Sequence, residues 1–375
     1  MKSVNGWLGM AGVALVAAAL ARGDDDGWQF QVGGVYQWGM KMSTRGPALT
    51  TPHNYGAVLP PQDAAGAGLA DPDNQTYADG YVRREWVMDD PGAVGADKTM
   101  TWNWSYNDYQ KQYNAGDQTL AFHRQTAQSQ SASSEDDFGA GGVEFSAKHR
   151  LLTCCGLDLG VDLALDWFPD AQASQSRSVS SRFNTYYYSD PWGVVSGVSR
   201  PYQGPDYNYN NPDIPGNPDT GNLDLPPISY TPIRVTDTLE QTTVSTKADL
   251  YRVRAGCGPT LTLPVTEKLR VYATPQFTLS LVHADVTRRQ TVTSTDMDTG
   301  TRTVVSSDET SSDKTALLAG VLLAAGVDYQ FTKNWVVGAY VGREWVQDLN
   351  VDVGSDRTRL NLGGGEASLY VGTTF

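Results

Sequence analysis

The chain is poor in the side chains from which most catalytic and metal centres are built: its 375 residues include three cysteines, four histidines and seven methionines. His53, His123 and His149 show no metal-ligand spacing, so no metal or cofactor is expected. Charged residues make up only 19%, without a helix-favouring bias, which excludes a coiled coil or a disordered acidic tail. Beyond the first twenty-odd residues the longest nearly apolar run is Ala316 to Val327. That falls short of the ~18 residues a membrane-crossing helix requires. Basic residues are outnumbered 28 to 42, a net charge of −14 that repels nucleic acid phosphates. What the chain does have is glycine (38), tyrosine (19) and tryptophan (10), a mix favouring strands and turns. An all-β fold is the expectation.

The N-terminus has the layout of an export signal. Lys2 supplies the positive end, Trp7 to Leu20 the apolar segment and Ala19-Leu20-Ala21 the small-x-small cleavage site. Residues 1–21 are thus expected to be removed, leaving a single domain over 22–375. Only one charge, Lys2, goes with them, so 27 basic residues remain against 42 acidic ones.

Period-two alternation is the strongest signal, since successive strand side chains point to opposite faces. From Trp28 to Met42 the even positions are Trp28, Phe30, Val32, Gly34, Tyr36, Trp38, Met40 and Met42, while Gln29, Gln31 and Gln37 lie among the odd ones. Leu157 to Trp167 sets Leu157, Leu159, Val161, Leu163, Leu165 and Trp167 against Asp158, Asp162 and Asp166. The same grammar recurs over 143–148, 251–263, 269–281, 317–331 and 335–341. A bulge is expected around Gly256, Gly258 and Pro259.

Such strands fit a soluble sandwich with the apolar face inside or a closed barrel with that face toward lipid. Several runs reach the ~9–11 residues a tilted lipid-spanning strand needs, longer than the ~5–6 of most soluble strands. Connections near 153–156, 264–268 and 332–334 are short, and those assigned to 44–137, 169–242, 286–314 and 347–360 are long. Tight turns on one side and large loops on the other are the outer-membrane arrangement. Counting from Trp28 gives eight antiparallel strands in a closed transmembrane β-barrel. If 77–88 and 98–106 also joined, the count would be ten, but Arg83, Arg84 and Glu85 suit a lipid-facing strand poorly.

The last segment, Gly365 to Phe375, resembles the terminal β-signal of bacterial outer-membrane barrels: Leu369, Val371 and the final Phe375 fit its alternating apolar and aromatic positions, while Thr373 departs from them. The resemblance covers the strand grammar of about half the chain. It implies recognition by the barrel-assembly machinery and a place in the cell outer membrane among its lipids. Trp28, Tyr36, Trp38, Trp167, Tyr329, Trp335 and Trp345 fall near strand ends, where amphipathic rings meet a membrane interface.

An eight-stranded barrel is just wide enough for side chains to fill. The inward set is expected to include Glu144, Lys148, Asp158, Asp162, Asp166, Arg252, Arg254, Arg270, Asp328, Glu344 and Glu366, with Tyr272, Tyr340 and Tyr370. Ion pairing is the natural solution for such a crowd, because isolated buried charges are costly. Arg252 and Arg254 are expected to partner the Asp158, Asp162 and Asp166 row. The alternative is a cation-preferring pore lined by these charges. With the plugged interior, the main expectation, large acidic loops serve surface contact or adhesion, through extracellular ligands the sequence leaves unnamed; the pore alternative is a small porin-like diffusion channel.

Catalysis finds little support. A lipid-acting barrel enzyme would place a histidine beside a serine or acid near the outer rim, but His283 shares the parity of outward Leu281 while Ser280 points inward. Asp296-Met297-Asp298-Thr299-Gly300 lacks the closing glutamate of a calcium loop and reads as a hairpin tip. Cys154 and Cys155 lie in a short turn, and pairing with Cys257 is not expected because that strand continues to Leu263.

Overall fold

A computed structural model describes residues 27–53, 55, 75–82, 100–101, 104–106, 109–131, 136–189, 202–203, 228–229 and 231–374. The expected export signal over 1–21 and the terminal Phe375 lie outside them.

Eight strands form a closed antiparallel ring: β1 Trp28–Arg45, β2 Asp136–Cys154, β3 Leu157–Ser189, β4 Arg234–Pro264, β5 Leu269–Asp296, β6 Arg302–Gln330, β7 Trp335–Val346 and β8 Gly364–Thr374. Each pairs with the next, and β1 pairs with both β2 and β8. Segments 75–77, 80–82, 104–106 and 202–203 form a small separate sheet, so they add no ring strand and the count of ten is not realised among the described residues. The β2–β3 connection is a two-residue turn in which Cys155 (φ 53°) and Gly156 (φ 81°) are both left-handed, the backbone that suits the twist of a tight hairpin.

The strands are far longer than expected. β3, β4, β5 and β6 run on through 169–189, 234–242, 286–296 and 302–314, which the sequence reading assigned to loops. The stretches 44–137 and 347–360 likewise contain strands, at Thr119–Ser131, Leu349–Val353 and Asp356–Asn361. Alternation does not stop at the end of the apolar outer face; its sense reverses. On β5 the outward residues pass from Phe277, Leu279 and Leu281 to His283, Asp285 and Thr287, while the inward ones pass from Thr278 and Ser280 to Val282, Ala284 and Val286. β4 switches one rung higher, where inward Arg252 opposite Val282 gives way to Leu250 and Ala248, and outward Tyr251 to Asp249 and Lys247. Two storeys result, one with an apolar outside and one with an apolar inside.

Two bulges near this level keep the two inner faces in register. Gly39 adopts φ +74° and shifts the pairing between Trp38 and Met40; a residue inserted into one strand swaps the faces beyond it. Met40 and Met42, expected on the outer face with Trp38, are therefore buried in the upper core. On β3 the shift between Phe168 and Ala171 does the same, turning Ala171 and Ala173 inward after Asp166 and Phe168. The hairpin 349–361 extends the sheet beside the top of β1, turning Leu349, Val351, Val353 and Leu360 into the upper core and leaving Asp352, Arg357 and Arg359 on its exposed face.

Candidate functional site

Two features stand out, one inside the lower storey and one around it. The inner feature is a charged knot. Arg254 on β4 donates from Nε to Asp166 Oδ2 at 2.6 Å and from Nη1 to Glu366 Oε2 at 2.6 Å, with Glu344 Oε2 3.2 Å from Nη1. Arg252, one rung up, donates to Glu344 Oε1 at 2.6 Å, to Ser280 Oγ at 2.8 Å and to Gln37 Oε1 at 2.9 Å. Gln37 closes the loop by donating to Glu344 Oε2 at 2.9 Å, and Tyr340 donates to Glu144 at 2.7 Å and Glu366 at 3.2 Å. Strands β1, β2, β3, β4, β5, β7 and β8 thus meet through side chains across the lumen. Phe168 lies over both guanidiniums, 5.7 and 5.8 Å away.

Below the knot, Tyr272 and Tyr370 bond through their hydroxyls at 2.8 Å, Tyr370 donates to Asp328, and the Lys148 ammonium stands 3.5 Å over the Tyr272 ring. The expected row of partners is corrected here. Only Asp166 meets an arginine. Asp162 faces Lys148 and Gln276, Asp158 accepts from Thr153 in the lower turn at 2.5 Å, and Arg252 crosses the lumen to Glu344 on β7. Parity along one strand shows which way a residue points but not which opposite wall it reaches. Arg270 is half-buried at the lower rim, donating to Gln330. The open spaces along this axis measure about 10 Å³ each, room for roughly one water.

The outer feature is a band of exposed apolar side chains around the lower storey. It includes Val32, Leu163, Leu261, Phe277, Leu279, Leu323, Val341, Leu369 and Val371, with Tyr36, Trp38, Tyr329, Trp335 and Trp345 among its exposed rings. On β5 it runs from Val271 to Leu281, roughly 33 Å of strand at ~3.3 Å per residue and about 23 Å of height at a tilt of ~45°.

A third grouping was not legible in the sequence. Inside the upper storey, His53 Nδ1 lies 2.5 Å from Glu240 Oε1 and His123 Nδ1 lies 2.6 Å from Asp79 Oδ2. Tyr55 stacks on His123 with centroids 4.2 Å apart. Burial, reinforced by the Asp79 and Glu240 carboxylates, holds the Tyr55 phenol well above its usual pKa. The main-chain oxygens of Pro47 and Thr50 accept from Arg177 and Thr242, so this segment crosses the inner face of the sheet as a strap. These partners are separated by tens to hundreds of residues, and no local spacing signals them. The Tyr186-Tyr187-Tyr188 run likewise ends in a buried cluster, where Tyr188 bonds Tyr77 and packs on Phe122. His283 is outward, with Nδ1 2.9 Å from Thr315 Oγ1, whereas Ser280 is buried. All three cysteines are unpaired and exposed.

The class of protein is thus an all-β chain with an eight-strand antiparallel ring. No protein-family model and no curated protein sequence matches it. Among solved structures it is similar to the attachment invasion locus protein Ail of Yersinia pestis, at 8% identity over 94% of this chain and 100% of that one with a TM-score of 0.24. It is also similar to OmpT, an outer membrane protein of Vibrio cholerae, at 10% identity, 94% and 99% coverage and a TM-score of 0.18. A Pseudomonas aeruginosa FadL homologue matches at 8% identity, 94% and 90% coverage and a TM-score of 0.17. At such scores these likenesses carry no argument about this chain.

Proposed function

We propose that the chain is a bacterial outer-membrane β-barrel with a sealed lumen, whose work is done by the storey that stands outside the bilayer. The observation that carries this reading is the reversal of sidedness at one level of the long strands. A contiguous apolar wall of this extent far exceeds the few hundred Å² that soluble monomers tolerate, and its height of about 23 Å is close to the ~25 Å apolar band of outer-membrane barrels. In hydrocarbon a sheet has no water for its edge groups, so only a closed ring can cross. Leu369 and Val371 lie outward on β8, the placement a terminal assembly signal would have.

A structural or surface-contact role follows better than a diffusion pore. The lumen is crossed by the Arg252 and Arg254 knot, capped by Phe168, and filled above by the apolar core, to which the hairpin 349–361 adds its buried face. Planar-bilayer recording on the purified full-length protein tests this: the expected record is a flat baseline after verified insertion, and stable unitary steps would reject the sealed lumen in favour of the pore. No catalytic chemistry is assigned. A protein that stays dissolved without detergent and runs identically boiled and unboiled would overturn the membrane reading itself.

A further inference from the structure

On the outer wall, at the seam where β8 begins, lies a cleft of about 330 Å³ bounded by Trp38, Lys41, Arg343, Trp345 and the stretch Gly363 to Gly365. Its shape is written into the backbone. At the outward rung Trp38, Gly365 and Arg343 are paired neighbours, and the central position has no side chain. Nor does it admit one: a Cβ on Gly365 would come within 2.5 Å of the Trp38 ring, and one on Gly364 within 2.1 Å of the Trp38 carbonyl oxygen. The left-handed Gly39 bulge turns Met40 inward and leaves Trp38 and Lys41 both exposed on the outer side. The result is a glycine floor between two exposed indoles, with two cations at its edge.

Charge gives the cleft its polarity. Arg343 is exposed, lies 5.8 Å from the Trp345 ring, and has no ion-pair partner among the described residues. Glu344, the acidic residue of the lining, turns its carboxylate inward to Arg252 and Arg254, and Asp137 stands opposite Lys41 across the β1–β2 ladder. Around and below Arg343 the outer wall is greasy: Leu323 is its cross-strand neighbour, Val341 and Leu369 lie lower, and all three are strongly exposed. A cation on a lipid-facing strand is tolerated only toward the interface, costing roughly 0–1 kcal/mol there against ~2–4 at midplane, and tryptophans mark that interface. A planar guanidinium and an ammonium lining one cleft are suited to a phosphate group. We infer that this cleft seats the phosphorylated headgroup of an anionic lipid, the phosphate on Arg343 and Lys41, the sugar or glycerol against Trp38 and Trp345, and the acyl chains running down over Val341, Leu323 and Leu369. The inference rests on the outer-membrane reading above.

The test uses the full-length protein reconstituted in phosphatidylcholine vesicles doped with phosphatidic acid or with phosphatidylcholine carrying the same brominated acyl chains. The readout is tryptophan quenching, taken as the difference between the wild-type protein and the W38F and W345F variants. Phosphatidic acid is expected to quench these two rings preferentially. K41Q and R343Q are each expected to reduce that preference about fivefold, the value of one basic residue near an anionic surface, and the double variant to abolish it. R343K, which keeps the charge, should retain part. Full displacement by millimolar inorganic phosphate would make this a free-phosphate site and overturn the lipid assignment, as would an unchanged preference in an inserted K41Q/R343Q protein. Failure of the wild type to insert, read from unshifted gel mobility on boiling, would instead overturn the membrane reading on which it depends.

Discussion

Arg254 is among the most fully enclosed charges in the lower storey, and it holds three strands through carboxylates on β3, β7 and β8. Removing one partner of such a cluster strands the others without compensation, which costs ~3–5 kcal/mol. R254A is therefore expected to lower stability in detergent-based urea unfolding by about that much, well beyond the cost of N350A on the upper storey. Tyr55 makes a second residue-scale prediction, this time about pH. Its phenol is held neutral by burial and by Asp79 and Glu240, so above pH ~10 the unfolded chain loses this proton before the folded one does, and the strap loses stability as pH rises. The difference in tyrosinate absorbance between wild type and Y55F should stay near zero at the pH where free tyrosine ionises, and appear only with the loss of native structure. Of these two residues the sequence announced one. Arg254 sits on an alternating strand whose inward parity is plain, whereas Tyr55 owes its setting to His123 and Phe183 on distant strands.

The elements carry the two-storey plan through strand length and bulges. Gly39 is the position where β1 needs a left-handed residue, and an L side chain there costs roughly 1–2 kcal/mol. G39V is expected to destabilise by at least that amount, and the loss should show as a lower urea midpoint with an unchanged slope. The level at which β5 changes sidedness is testable with one substitution on either side of it. F277R places a charge on the apolar wall and should cost ~2–4 kcal/mol of stability in lipid, while D285R, four rungs higher and outward, should be nearly neutral. Equal costs would place the boundary elsewhere. The lower halves of these strands were readable because apolar and polar residues alternate there in an unbroken run. The upper halves were not: segments such as Thr242 to Lys247 or Ser306 to Lys314 place small, polar side chains outward, and without an apolar face the pattern resembles a loop. The bulges were missed because each inverts parity with a single residue, and Gly39 fits equally well as an ordinary strand glycine.

At the scale of the molecule, rigidity should be graded along the strands. β6 pairs with β5 along nearly its whole length but with β7 only over Gly320 to Gln330, so its upper part is laddered on one side among the described residues. Amide hydrogen exchange on the inserted protein is expected to be faster in Thr303 to Thr315 than in Val321 to Tyr329; uniform protection would mean that something else covers that edge. The three thiols, finally, provide natural depth gauges. Cys154 and Cys155 lie at the tip of the β2–β3 turn, and Cys257 stands midway along the outer wall opposite Leu163 and Phe277. A water-soluble, bilayer-impermeant maleimide should thus label the first two from one compartment only, while the third yields to a greasy reagent from either. Orientation and immersion of the native chain can be read by mass alone, without introducing a single probe residue.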